Sequence, residues 1–331
     1  MHIIPEKSRR GLFVTKILSL FLLSFLSIPA IVSAHVKWFA KPVDYVRPYQ
    51  IDDMPVIITL IVCLVAVCVG VYLDRKLTVP KWIGRFVSRW ASAALSIASI
   101  GFGLSFIIFS LKGFIFAPNL PATPVLLVIQ CAAGLMIFLG LFEKVGGFLL
   151  VVLFWLSMRQ YGFMEMMDAF EMLGFALYAI IVGRPKWRIV DVHIFTNITH
   201  RLHAYGVPLL RVATGLNLMI LGFSEKIMAP SLTQDFLNHY DWNFMHHVFG
   251  FEWFTDYWFA FSAGSAEILI GLFLILGLTT RITVIALAVF LVTTLTLLGP
   301  IELIGHLPHF SIAIVLLVMG AGARLKFGKK E

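Results

Sequence analysis

The run Phe261-Ser-Ala-Gly-Ser-Ala-Glu267-Ile-Leu-Ile-Gly-Leu-Phe-Leu-Ile-Leu-Gly277-Leu278 decides the fold. At about 1.5 Å of rise per residue, an apolar helix of this length crosses most of a bilayer's hydrocarbon core. Within it stands one carboxylate, Glu267. A charged side chain costs on the order of 2.5–3.5 kcal/mol at the bilayer midplane and less nearer the edge. Glu267 must therefore be paired, protonated or set against a polar cavity.

Runs of similar length recur throughout the 331 residues, of which 60% are hydrophobic and 13% charged, with a mean hydropathy of +0.92. A soluble fold would have too little polar surface to cover them, so the chain reads as an all-α polytopic membrane protein. The expected spans are Val56–Tyr72, Ala91–Phe116, Val125–Leu141, Val145–Ser157, Met166–Val182, Val207–Met228, Phe261–Leu278, Ile282–Leu298 and His306–Ala321. Gly11–Ala34 is either a further span, for about ten in all, or a cleaved secretory signal with Lys7, Arg9 and Arg10 at its head.

The formal charge of +8 does not point to nucleic acid, because the basic residues lie in short loops between apolar runs. The loop 74–90, the loop 184–204 and the tail Arg324–Lys330 all fall on one side, as the positive-inside tendency requires of cytoplasmic segments. His193, His200 and His203 in the second loop fit a polar helix at the membrane surface. Cys63, Cys68 and Cys131 form no C-x-x-C pair, which argues against dithiol chemistry. Motifs for zinc proteases, phosphate loops, serine hydrolases and haem attachment are absent from the sequence.

An internal repeat divides the chain. A shift of 137 residues places Gln130 on Glu267, Gly140-Leu141 on Gly277-Leu278, Lys144 on Arg281, Glu165 on Glu302 and Gly183 on Gly320. The preceding span matches at a shift of 112, placing Phe116-Ala-Pro-Asn-Leu120 on Met228-Ala-Pro-Ser-Leu232. The expected organisation is a 1–90 region with two N-terminal membrane helices, then two tandem four-helix units in parallel orientation. The units are 91–183 and 205–331, joined by the basic linker 184–204, and an aromatic outer insert, 229–260, lies in the second.

The second unit holds charges that the first lacks. Glu225 stands where the first has Gly113, Lys226 where it has Phe114, Glu267 where it has Gln130, His306 where it has Ala169 and His309 where it has Met172. Lys112, Asp168 and Glu171 keep the first unit from being free of polar groups. Lys226 is the nearest candidate partner of Glu267, with Glu225 competing for it; a simple ion pair tying two helices explains the same residues. His306 and His309, with Glu302 four residues before His306, offer a weak set of metal ligands, for which Fe, Cu or Zn are the candidates. Pro308 is expected in the first turn of the last span, where its missing amide costs nothing. Trp242, Phe244 and Trp253 of the insert are candidates to cover an apolar ligand.

Through Gly222-Phe-Ser-Glu225-Lys226, Ser262–Arg281 and Gly305-His-Leu-Pro-His309, the chain resembles the DoxX/DoxD family of small four-span membrane proteins. The resemblance covers 205–322 well, and 91–183 looks like a diverged second copy. It implies the inner membrane of a bacterium and a role like that of the membrane subunit of thiosulfate:quinone oxidoreductase. Glu225, Lys226, Glu267, His306 and His309 would then form a polar pocket at the outer face. Three functions compete. One is a quinone-coupled oxidoreductase or its membrane subunit, another a transition-metal-binding or transporting protein. The third is a non-catalytic subunit that holds a periplasmic or membrane partner.

Overall fold

The computed structural model describes residues 46–78, 80–187, 189–190, 196–298 and 300–327. The expected first span, His35 and His193 lie outside them. Thirteen α-helices are described: α1 Met54–Lys76, α2 Lys81–Leu111, α3 Pro124–Leu139, α4 Glu143–Tyr161, α5 Phe163–Met167, α6 Phe170–Ile181 and α7 Thr196–Leu202, followed by α8 Gly206–Leu221, α9 Pro230–Tyr240, α10 Phe244–His247, α11 Asp256–Leu276, α12 Thr280–Leu298 and α13 Pro300–Met319. A π-helix, Gly222–Ile227, prolongs α8. By length and composition, four helical stretches can cross a membrane: Met54–Lys76, Trp82–Leu111, Thr199–Ile227 and Asp256–Leu276. With the shorter apolar helices Pro124–Leu139, Phe170–Ile181, Thr280–Thr296 and Gly305–Met319, they make a multi-pass membrane protein.

Helix α2 packs on α3, α3 on α4, α4 on α6, α6 on α8, α8 on α11, α11 on α12, α12 on α13 and α13 back on α2, so the order of contacts closes into a ring. The α11–α12 contact is the slightest of these. Helix α1 lies outside the ring against α11, where the Trp258 indole donates to Thr59 Oγ1 at 3.0 Å. The amide of Thr279 donates to Asp74 Oδ1 at 3.0 Å at its inner end. The remaining apolar surface of α1, from Ile57 to Val69, is exposed, as suits a helix facing lipid.

Glycines set how closely the ring packs. A Cβ on Gly215 would stand 2.6 Å from the carbonyl oxygen of Gly271, so α8 and α11 meet backbone to backbone. The same approach recurs between α2 and α3, where a Cβ on Gly103 would lie 2.9 Å from the Gly134 oxygen. Such small-residue contacts replace the hydrophobic drive that helices lose inside lipid. Gly101 meets Ser311 where α2 touches α13, and Gly174 meets Ala213 where α6 touches α8.

At their C-terminal ends α3 and α11 close alike, on Gly140 and Gly277 with φ of 67° and 68°. That left-handed turn is open to glycine at little cost. Two buried arginines from different places cover the freed carbonyls. Arg184 donates to Ile137 and Phe138, and Arg211 to Leu274 and Ile275. A cation at a helix C-terminus also meets the negative end of the helix dipole. At the N-terminal end of α1, the Gln50 amide, the Tyr257 hydroxyl and Arg47 hold the Asp53 carboxyl below its usual range.

Two expectations are corrected. The span expected at Met166–Val182 is interrupted at Asp168-Ala169, which separates α5 from α6. Helix α13 begins at Pro300, so Pro308 lies inside it and not in its first turn. A proline there cannot donate to the Ile304 carbonyl, one bond that the helix loses.

The glycine packing predicts opposite outcomes for two substitutions. Gly271→Ala forces a methyl against the Gly215 backbone and should destabilise the fold by about 1–3 kcal/mol. Gly84→Ala, with open space around it in α2, should leave stability unchanged or raise it by up to about 1 kcal/mol. Thermal unfolding of the two purified variants beside the parent protein checks both.

Candidate functional site

The site begins where α8 gives way to the π-helix. A π turn closes five residues back, as in the 2.9 Å bond from the Met228 amide to the Phe223 carbonyl. Gly222 lies against α11 here, since a Cβ on it would stand 2.7 Å from the Gly264 oxygen. In return, a Cβ on Gly264 would meet the Lys226 Cβ at 2.7 Å. The lysine stem is thus laid across α11 one turn from Glu267, and Lys226 Nζ donates to Glu267 Oε2 at 2.8 Å. Of the three outcomes open to Glu267, pairing with Lys226 is the one the structure shows, with each side chain about nine-tenths buried, at 11% and 10% exposure.

In the first half Gln130, at the place of Glu267, joins the same helices without charge. Its Nε2 donates to Ser110 Oγ at 3.0 Å and to the Phe114 carbonyl at 3.1 Å, and its Oε1 accepts from the Phe116 amide at 2.9 Å. A neutral amide therefore suffices to hold this joint.

Lys226 and Glu267 stand in the wall of a cavity of about 510 Å³, together with His306, His309, Thr233 and Thr294. Ser262 and Thr293 add two hydroxyls, and the rest of the lining is apolar, drawn from α8, α9, α11, α12 and the insert. This combination of apolar walls and a few convergent polar groups is that of a small-molecule site. Trp242 and Phe244 line it, with Phe236, Leu237, Met245 and Phe254. Trp253 does not; its ring packs 4.9 Å from that of Trp258 and is 59% exposed. Glu225 is fully buried outside the lining. The insert is pinned by buried Asn243, whose Nδ2 donates to the Phe254 carbonyl at 2.7 Å and to Asp256 Oδ1 at 2.9 Å.

His306 and His309 lie one helical turn apart with ring centroids separated by 5.2 Å. A carboxylate close to them comes from the other half: Glu171 Oε1 of α6 is 3.2 Å from His309 Nδ1. Both side chains are almost wholly buried, and Asp168 is buried three residues before Glu171. A partner on Nδ1 fixes the ring and leaves Nε2 as its other hydrogen-bonding group. Among the described residues no three His, Cys, Asp or Glu are grouped to hold a metal ion, and the Glu302 side chain lies outside those described.

Reasoning from the sequence missed Glu171, Asn243 and the π-helix. Glu171 was visible as an acid in an apolar run, but its partner is 138 positions away on another unit. Asn243 carried no such signal, because an asparagine in an outer loop is unremarkable until its amide is seen to be buried.

No curated protein and no solved structure matches the chain. One family does, over residues 206–300, a segment that contains Glu225, Lys226 and Glu267 and stops short of His306 and His309. Membrane helices, paired charges and cavity thus coincide with a DoxX family domain, which this chain carries at residues 206–300.

Proposed function

We propose that the chain is a quinone-coupled membrane oxidoreductase or the membrane subunit of one, with its site in the second half. The observation that carries this reading is the cavity of about 510 Å³, mostly apolar, whose wall includes Lys226, Glu267, His306 and His309. A quinone has that division: a ring and tail that prefer hydrocarbon, and oxygens that accept hydrogen bonds. When bound, it supplies the two-electron, two-proton chemistry, and the electrons come from a reductant held by a partner subunit. Lys226 donates to one quinone oxygen while Glu267 fixes the ammonium. His306 donates to a quinone oxygen from α13, with His309 behind it close to Glu171. Trp242 and Phe244 close the apolar end and exclude water.

The same proposal takes the chain across a bacterial inner membrane ten times, or nine if 11–34 is removed, with the basic loops and the C-terminal tail inside. It reads 91–183 and 205–331 as parallel four-helix copies. The recurrence of the Gly103–Gly134 contact as Gly215–Gly271, and of Gly101–Ser311 as Ala213–Gly174, supports this. A metal role for His306 and His309 is the weaker reading, since Glu171 already engages His309 Nδ1.

Substitutions that imitate the first half separate binding from helix tying. Lys226→Met alone strands a buried carboxylate and should cost about 3 kcal/mol of stability. The double variant Lys226→Met/Glu267→Gln removes both charges and should restore most of it. In both, affinity for a short-tailed benzoquinone should fall at least roughly tenfold, about 1.4 kcal/mol. Isothermal titration of detergent-purified protein checks this; a double variant that binds like the parent would reduce the pair to a structural tie. His306→Ala should weaken the same binding with little change in melting temperature, because this side chain is only half-buried in the wall.

A further inference from the structure

The cavity of the second half can be compared with the first position by position. Leu126, Ile129 and Leu149 pack against the core at the α3–α4 contact. The corresponding residues, at the shift of 137, are Ala263, Ala266 and Ala286, and all three line the cavity. Buried Phe154 is replaced by Leu291, another lining residue.

Backbone spacing changes in the same direction. Gly146 lets α4 lie on α3, since a Cβ there would be 3.0 Å from the Ala133 oxygen. Thr283 holds that position in α12 and is buried, and α12 meets α11 in few places. Each of the four large-to-small exchanges alone would leave a packing defect. All five fall along one seam, and that seam is the slightest helix contact in the ring.

The seam faces outward. Ala266 of α11 and Ala286, Val289 and Phe290 of α12 line the cavity and are exposed as well. Their neighbours Ile282, Ile285 and Val292 form an exposed apolar surface that, in a multi-pass protein, meets lipid chains. The cavity is therefore continuous with the bilayer side of α12, with its polar end at Lys226 and Glu267 farther in.

We propose that the α11–α12 seam is a lateral portal in which the tail of a single-chain, membrane-dissolved amphiphile lies while its polar head reaches the Lys226–Glu267 pair. A gap one helix contact wide admits one chain, which favours a prenyl- or alkyl-tailed ring over a two-chain phospholipid. The identification of the head as a quinone rests on the function proposed above. The portal itself rests on the seam.

The test restores the first half's side chains in the full chain: Ala263→Leu/Ala266→Ile/Ala286→Leu, with Ala286→Leu alone as a milder variant should the triple variant fold poorly. In nanodiscs, a decyl-tailed benzoquinone should lose at least roughly tenfold in affinity, while a tail-less benzoquinone stays within about threefold. An unchanged decyl-tailed affinity, or an equal loss for both probes, would overturn the portal. A second readout does not depend on the head. A diazirine-bearing single-chain fatty acid in the nanodisc should label peptides containing Ala266 or Leu291 in the parent protein and not in the variants. Labelling without quinone binding would keep the portal and sink the quinone reading. An unlabelled seam, or equal labelling by a diazirine phospholipid, would overturn the portal whatever the head proves to be.

Discussion

An ammonium and a carboxylate can stay at membrane depth only if each is the other's solvent, and the structure is arranged around meeting that condition once. Lys226 reaches Glu267 because the π-helix lies directly on α11, and it can lie there because Gly222 and Gly264 have no side chains to hold the backbones apart. The cost of isolating either charge is several kcal/mol. Any movement that separates α8 from α11 therefore works against the pair as well as against the packing. The same contact that stabilises the membrane fold thus aims the lysine of the cavity wall.

Gln130 makes the matching joint of the first half without an ion pair. A glutamine hydrogen-bonded to Ser110 and three peptide groups fixes the corresponding helices with no charge to neutralise. Beside it the seam is filled with Leu126, Ile129 and Leu149. Where the amide becomes an ion pair, the filling becomes alanine. Polar chemistry and empty volume arrive together, which is what a binding site requires and what a stronger core would avoid.

Much of this was legible in advance. The apolar runs became helices, though the one at Met166–Val182 is broken and the one expected from Ala91 starts at Lys81, because a hydrocarbon solvent leaves a chain little choice but to satisfy its own backbone. Cost named Lys226 as the nearest candidate partner of Glu267 and left protonation and a polar cavity open. The break at Asp168-Ala169 and the helical position of Pro308 did not, since both depend on local backbone bonds that hydropathy does not record. The approach of His309 to Glu171 depends on how one set of helices docks against another, and no periodicity within either helix encodes that docking. Trp253 was chosen for its type and proximity, but its ring turned toward Trp258.

The ring closes through two joints, α6 on α8 and α13 on α2, made by Gly174 with Ala213 and Gly101 with Ser311. Cut at both joints, it falls into two pieces that each expose a matching pair of faces. A protein built from one such piece would complete the ring by pairing with a second copy of itself. Tethering the two in one chain replaces a bimolecular encounter with an intramolecular one of high effective concentration. It also releases the pieces from having to be identical. One partner can then specialise as a scaffold that lends Glu171 across the joint, while the other keeps the cavity; an untethered pair, two copies of one sequence, has no means of dividing labour in that way.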